Sequence, residues 1–185
     1  MNSLSGLFIS MVVTRIRSTR RPVPVLISGG LVAVLIASCG PSKVAQCNAF
    51  VEAVNKEQAL SDQFFEAQQQ LGEAQDEASI LGLATAAKEY SEQVNGIIQE
   101  VAALELEDET VIDFQQRYVE QQTQLQDGIL TTANAMEQIG NGQITTPEQI
   151  QTIEQQMNDA TTKVTEAEQQ IETIRTDYTT YCVDE

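Results

Sequence analysis

Apolar residues recur at helical spacing along the last third of the chain. They lie three and four positions apart, and glutamine, glutamate and threonine fill the positions between them. This spacing is the a/d seam of a helix that packs lengthwise against other helices, and it excludes a strand, whose period is two. The seam positions are Ile150, Ile153, Met157, Ala160, Val164, Ala167, Ile171, Ile174, Tyr178 and Tyr181.

Capping sequences mark where two of the helices begin. Thr146 stands at an N-cap position, Pro147 fills the first helical position, and Gln149 follows three residues after the cap. A threonine hydroxyl and a glutamine side chain at this spacing satisfy the free amide groups of a first turn. We therefore predict a helix over 147–182. Asp108 is placed to cap the helix before it.

Three further apolar stripes precede the last one. The third runs from Val111 to Ile139, carries the polar Gln122 on its seam, and ends at Gly140-Asn141-Gly142, which is typical of a left-handed cap and a turn. The second runs from Ile80 to Val101, and the first from Phe50 to Leu71. These stripes predict three more helices.

The stripes together predict an all-α protein, an up-down four-helix bundle. Helices of about 30, 28, 31 and 36 residues joined by short loops suit this topology. The stripes are narrow and rich in alanine, threonine and valine, so we expect a slender, coiled-coil-like bundle. Gly72 is the only helix breaker near the first junction, and a single helix over 44–103 is the alternative there.

Two glycines lie at matching distances on either side of the turn near Leu106. If Gly82 and Gly128 face each other, they allow the second and third helices to approach closely. The other interpretation is that neither glycine has a packing role.

Composition excludes several classes of function. All 27 acidic residues but only six of the ten basic ones lie after residue 38, which gives that part a net charge of −21. Nucleic acid is excluded as a partner, because phosphate would be repelled. The chain has no histidine, the commonest general base and metal ligand, and no glycine-rich phosphate loop. We therefore predict no catalytic residue, no metal site and no cofactor.

The N-terminal segment has the pattern of an export signal. Arginines at positions 15, 17, 20 and 21 precede an uncharged apolar run over 25–36, which is shorter than the roughly 20 residues that a membrane-spanning helix needs. The run ends in Ile36-Ala37-Ser38-Cys39, which resembles the lipobox of bacterial lipoproteins. The resemblance implies cleavage before Cys39, a thioether-linked lipid on its sulfur and acylation of the new amino group.

The resemblance divides the chain into three parts. Residues 1–38 form a cleaved signal peptide, 39–43 a lipidated tether, and 44–185 the helical bundle domain. The membrane is then a partner through the lipid on Cys39. Gly40 and Pro41 stand where an aspartate retains some lipoproteins at the inner membrane, so the outer membrane is mildly favoured.

Two cysteines remain once Cys39 carries a lipid. Cys47 and Cys182 then form a pair in an oxidising compartment, where a disulfide is expected. Cys47 lies at the start of the first predicted helix, and Cys182 lies at the end of the last. Four antiparallel helices of equal length bring these ends together, whereas three would place them at opposite ends.

Four short segments resemble a loosely defined group of small exported helical proteins of cyanobacteria. That group has no assigned activity, and the resemblance implies a location facing the periplasm or the thylakoid lumen. The segments are Cys47-Asn48, Leu104-Glu105-Leu106-Glu107-Asp108, Phe114-Gln115-Gln116-Arg117-Tyr118 and Tyr181-Cys182.

Three functions of different class are compatible with these patterns. A membrane-anchored interaction or assembly module fits best, because helical surfaces of strong negative charge favour a protein partner with a basic surface. The alternative is a carrier or sensor of a small ligand or a divalent cation, bound in the bundle or by the carboxylates of Glu105, Glu107, Asp108 and Glu109. An enzyme would require a pair of carboxylates in a closed pocket, which the sequence does not indicate.

Overall fold

The computed structural model describes residues 41–72 and 76–183, and these residues form four helices without a strand. The predicted all-α fold is confirmed. The predicted signal peptide and the predicted lipidation site Cys39 lie outside the described residues. In chain order the helices are α1 (Lys43–Gly72), α2 (Glu77–Ala102), α3 (Glu109–Gly140) and α4 (Pro147–Cys182).

The first two stripes are separate helices. α1 ends at Gly72, and Asp76 caps the start of α2 by accepting a hydrogen bond from the Ser79 amide at 2.8 Å. An N-cap residue has extended backbone angles, as Asp76 has, and it therefore interrupts a helix. The alternative of one helix over 44–103 is wrong.

The predicted signals at the ends of α3 and α4 are present in the structure. The Thr146 hydroxyl accepts from the Gln149 amide at 3.3 Å, and the Gln149 side chain accepts from the Thr146 amide at 3.1 Å. The Asp108 carboxylate accepts from the first amides of α3. Gly142 has a φ of +66°, a left-handed conformation that favours glycine, and it turns the chain from α3 towards α4.

Consecutive helices pack side by side in alternating directions. Ion pairs join α1 to α2 through Lys56 and Glu100, and α2 to α3 through Lys88 and Glu137. A third pair joins Arg117 of α3 to Asp177 of α4 at 3.0 Å. Each pair connects a residue in the first half of one helix with a residue near the end of the next helix, so the bundle is up-down, as predicted.

α1 and α4 meet at one end of the bundle. We call this the disulfide end; it comprises residues 41–50, 103–111 and 178–183. Elsewhere α1 and α4 make little contact, since α1 lies along α2 and α4 lies along α3. Each helix therefore packs along the next one in the sequence, and α1 and α4 come together only at the disulfide end.

The main core lies near the disulfide end and draws on all four helices. Phe50 packs edge-on against Tyr118, and Phe114 packs edge-on against Tyr178 and Tyr181. The buried members of this core are Cys47, Phe50, Ala53, Ile97, Val101, Val111, Phe114, Tyr118 and Ile174.

A thinner core continues along α3 and α4 towards the far end. α4 buries one narrow face, and two of the five buried residues on it are alanines, so the bundle is slender there. Ala135, Ile153 and Met157 form the cluster at the far end.

Gly128 packs against α4. A β-carbon on Gly128 would lie 2.6 Å from Cγ2 of Val164 and 3.1 Å from the carbonyl oxygen of Ala160. The interpretation that Gly128 faces Gly82 of α2 is therefore wrong, although the close helix approach is real. At Gly128 it joins α3 to α4.

Candidate functional site

The disulfide end contains the densest set of connections between separate parts of the chain. A disulfide joins Cys47, at the start of α1, to Cys182, at the end of α4, with their α-carbons 6.0 Å apart. The predicted pairing is confirmed, and so is the reasoning that an even number of helices brings these ends together. Cys47 is buried and Cys182 is half-buried.

Two tyrosines of α4 reinforce this junction. The Tyr178 hydroxyl donates to the carbonyl oxygen of Cys47 at 3.2 Å, and the Tyr178 ring lies against Phe50. Burial raises the pKa of Tyr178, so its hydroxyl stays protonated as a donor. The Tyr181 hydroxyl donates to the Asp108 carboxylate at 2.9 Å.

The side-chain amide of Gln46 connects the start of the described chain to the loop before α3. Its nitrogen donates to the carbonyl oxygen of Pro41 at 2.7 Å. Its oxygen accepts from the amides of Glu107 and Asp108 at 2.5 and 2.8 Å. Gln46 is 5% exposed, so these bonds form away from solvent. Sequence reasoning missed this residue, because one glutamine among many carries no distinguishing signal.

Asp108 combines a helix cap with a link to α4. Its carboxylate accepts from the amides of Thr110 and Val111 at 3.0 and 3.1 Å, and from the hydroxyl of Tyr181. Burial acts to raise the pKa of Asp108, but the accepted hydrogen bonds and the charge of Lys43 outweigh it and lower the pKa below 3.8. The predicted cap is confirmed.

The other acidic residues of this loop point to no shared centre. Glu105, Glu107 and Glu109 are exposed, while the Asp108 carboxylate is used by the cap. Over 41–72 and 76–183, no group of three or more acidic, cysteine or histidine side chains is placed to hold a metal ion. Cation binding by the acidic loop stays a prediction.

A polar cluster in the middle of the bundle connects α1 to α2 and α3. The Glu57 carboxylate accepts from the Tyr118 hydroxyl and from the Gln122 side-chain amide, both at 2.7 Å. The Tyr90 hydroxyl lies 3.4 Å from Glu57 and 3.1 Å from the hydroxyl of Ser61. Burial and the negative charge of Glu57 raise the pKa of Tyr118 well above its ordinary value of 10, so Tyr118 is a permanent donor.

The sequence contained one signal for this cluster. Gln122 is a polar residue on an apolar seam, and the structure leaves it 1% exposed. A buried amide of this kind needs partners, and Glu57 supplies one across the bundle. Nothing in the sequence indicated that Glu57 of α1 is that partner.

A small cavity opens between α1 and α2 beside this cluster. Its volume is about 130 Å³, below the range of roughly 300–1,000 Å³ that is usual for small-molecule sites. It is lined by Leu60, Phe64 and Tyr90 together with the polar side chains of Gln63, Glu89 and Gln93.

Most of the positive charge after residue 38 is already engaged within the bundle. Lys43 lies over the Tyr181 ring, 3.9 Å from its centroid. Lys56, Lys88, Arg117 and Arg175 pair with carboxylates of their own or a neighbouring helix. The outer surface is therefore dominated by acidic side chains.

Among the described residues, no helix is both long enough and apolar enough to cross a membrane. The chain shows no match to any protein-family model, curated protein or solved structure.

Proposed function

We propose that the chain is an exported, lipid-anchored protein-interaction or assembly module without catalytic activity. The lipid on Cys39 attaches it to a bacterial membrane, and the bundle binds partner proteins that have basic surfaces. The observation that carries this proposal is that five of the six basic side chains after residue 38 are engaged with groups of the bundle itself, while 27 acidic residues leave the surface strongly negative.

The rigidity of the bundle supports a role in binding. Four helices, a disulfide and the hydrogen bonds of Gln46 and Asp108 hold the disulfide end together. Preorganised surfaces lose little conformational entropy when they bind a partner. A surface of long helices lying side by side also suits lengthwise contact with another protein.

The cellular location is proposed from the sequence together with the disulfide. The lipobox at Ile36-Ala37-Ser38-Cys39 indicates lipidation, and a structural disulfide suits an oxidising compartment such as the periplasm or the thylakoid lumen. Gly40 and Pro41 favour the outer membrane where one is present.

Fractionation of cells that express Cys39→Ala tests the anchor. Without the thiol no thioether lipid forms, so the protein should leave the membrane pellet for the soluble or unprocessed fraction. The matched control is Ser38→Ala, which keeps a small residue before the cysteine and should stay in the membrane. A processed Cys39→Ala protein that still sediments with membranes would contradict the anchor.

Capture from crosslinked membranes at rising salt tests the partner. Screening shortens the Debye length from about 10 Å at 0.1 M to about 3 Å at 1 M, so binding to a basic partner should weaken steeply. The chain without residues 1–39, which cannot carry the lipid, is the control for lipid-mediated capture, and it should retain the same partner. A partner whose binding is flat across this range contradicts the proposed role of the acidic surface.

A further inference from the structure

We infer that the disulfide end lies against the lipid surface and that the bundle stands upright on the membrane. Val44 and Val183 then contact the boundary between headgroups and acyl chains of an electrically neutral leaflet. The inference rests on the proposed lipidation of Cys39. It adds an orientation and a second, non-covalent lipid contact to that proposal.

The link between the lipid and the bundle is short. Pro41 is held to the bundle by the side-chain amide of Gln46 at 2.7 Å, and Cys39 precedes Pro41 by two residues. A residue spans at most about 3.3–3.6 Å, so Cys39 stays within about 7 Å of Pro41. This reach is less than the roughly 10 Å diameter of one helix, so the link keeps the disulfide end, and not the far end, beside the membrane.

The attachment of Pro41 to the bundle is firm. Gln46 is 5% exposed, and its oxygen also accepts from the amides of Glu107 and Asp108. Releasing Pro41 by moving this side chain would leave these amides without their partner, and buried donors without a partner are costly. The start of the described chain is therefore part of the bundle end, even though it precedes α1.

Exposed apolar side chains lie at the same end of the bundle as this attachment. In the described part of the chain, the large hydrophobic residues left exposed are Val44 at 62% and Val183 at 67%. Val44 lies in the first turn of α1 and Val183 caps α4. The disulfide between Cys47 and Cys182 keeps both valines at the same end as Pro41. Their contact with acyl chains removes apolar surface from water.

The charge of the disulfide end determines which kind of lipid leaflet it can contact. Glu105, Glu107 and Glu109 are exposed near the same end, and Lys43 is placed over the Tyr181 ring. An anionic leaflet repels this set of carboxylates, whereas a zwitterionic leaflet does not. The inferred contact is therefore with neutral lipid.

Tryptophan fluorescence tests the orientation, because the chain contains no tryptophan. The purified lipidated protein carries Val44→Trp, Val183→Trp or, as the far-end control, Gln143→Trp in the exposed turn after α3. Each variant is reconstituted into phosphatidylcholine vesicles with brominated acyl chains, which quench nearby indole rings. We expect Val44→Trp and Val183→Trp to lose most of their emission and Gln143→Trp to keep it.

A longer tether provides the second arm of the experiment. A flexible glycine-serine insertion of about ten residues between Gly40 and Pro41 leaves the bundle and Gln46 intact but frees its orientation. The emission of Val183→Trp should then largely recover while the protein still sediments with the vesicles. Gln46→Ala should have the same effect by releasing Pro41, and the insertion decides the matter if that variant loses helical circular dichroism.

The failures of the two proposals are distinguishable. The mass of the purified protein is measured first, and a chain without lipid overturns the anchor and this inference together. A lipidated, vesicle-bound protein in which both valine-site tryptophans are as bright as Gln143→Trp overturns the orientation alone. Unchanged quenching after the tether insertion overturns the short link as its cause.

Discussion

At the scale of single residues, two helical glycines occupy opposite environments. Gly128 is buried, and an added β-carbon would meet Val164 at 2.6 Å and the backbone oxygen of Ala160 at 3.1 Å. Gly96 is exposed, and no atom lies within 4 Å of the position its β-carbon would take. The same substitution therefore has opposite consequences at the two sites.

We expect Gly128→Ala to lower the free energy of unfolding by about 1–3 kcal/mol, because α4 must move away from α3 to admit the methyl group. Gly96→Ala should raise it by roughly 0.5–1 kcal/mol, because alanine loses less backbone entropy in a helix than glycine does. Urea denaturation of the chain without residues 1–39, with the disulfide intact, measures both. Equal effects at the two positions would contradict the close packing of Gly128.

Asp108 gives a pH-dependent contribution to stability. Its pKa in the folded state lies below the ordinary value of 3.8, so the ionised form is favoured by folding. The contribution is therefore complete above pH 3.8 and disappears as the pH falls through the folded pKa.

Asp108→Asn removes this charge while keeping a good capping residue, since asparagine caps helices as well as aspartate does. We expect the variant to be less stable than the unaltered protein at pH 6, and the difference to shrink steadily as the pH falls below 3.8. Thermal melts of both proteins between pH 6 and pH 2 measure it. A difference that is constant over this range would show that the carboxylate charge has no part in it.

At the scale of the helices, α4 depends on a cap at its first residue and on one narrow apolar face. Its 36 residues include many exposed threonines, whose hydroxyls donate to carbonyl oxygens four residues earlier, as Thr162 does to Asn158 at 3.0 Å. Thr146 differs from these threonines, because its hydroxyl accepts from an amide that has no helical partner.

Thr146→Ala should lower the free energy of unfolding by about 0.5–2 kcal/mol, because a free amide at the start of α4 loses its acceptor. The matched control, Thr162→Ala, should be neutral or slightly stabilising, because alanine is the better helix former at an exposed interior position. Chemical denaturation of the two variants provides the comparison. A cost at Thr162 equal to that at Thr146 is the outcome that contradicts the capping role.

What could be predicted from sequence depended on how local each signal is. The bounds of α4 and the cap at Asp108 follow from residues within a few positions of each other, so they were predictable. The partners of Gln46 and Glu57 lie about 60 residues away in sequence, and the periodic pattern does not distinguish these side chains from other polar ones. The cysteine pair could be predicted despite its separation, because Cys47 and Cys182 are the two cysteines left once Cys39 is assigned to the lipid.

At the scale of the whole molecule, stability depends on one covalent bond at one end. The disulfide joins residues 135 positions apart, and α1 and α4 have little other contact. Cross-linking such distant residues restricts the unfolded chain strongly. The modest number of aromatic residues makes this contribution a large part of the total.

Reduction of the disulfide should therefore lower the melting temperature markedly. The chain-entropy relation gives roughly 4–5 kcal/mol for a loop of this length, which corresponds to a shift on the order of 10 °C. Circular dichroism at low temperature should keep its helical signal, because the helix pairs α1–α2 and α3–α4 remain packed. The Cys47→Ser, Cys182→Ser double variant is the control for side effects of the reductant. A melting temperature that does not change on reduction would contradict this dependence.

The same bond also determines how the molecule carries mechanical load. If Cys39 is held in a membrane and a partner pulls on the end of α4, tension passes from Cys182 directly to Cys47 and through the short segment back to Cys39. The loops between the helices and the non-covalent packing among the four helices do not carry this tension. The bundle can therefore stay folded under a force that would peel its helices apart if the two cysteines were separate.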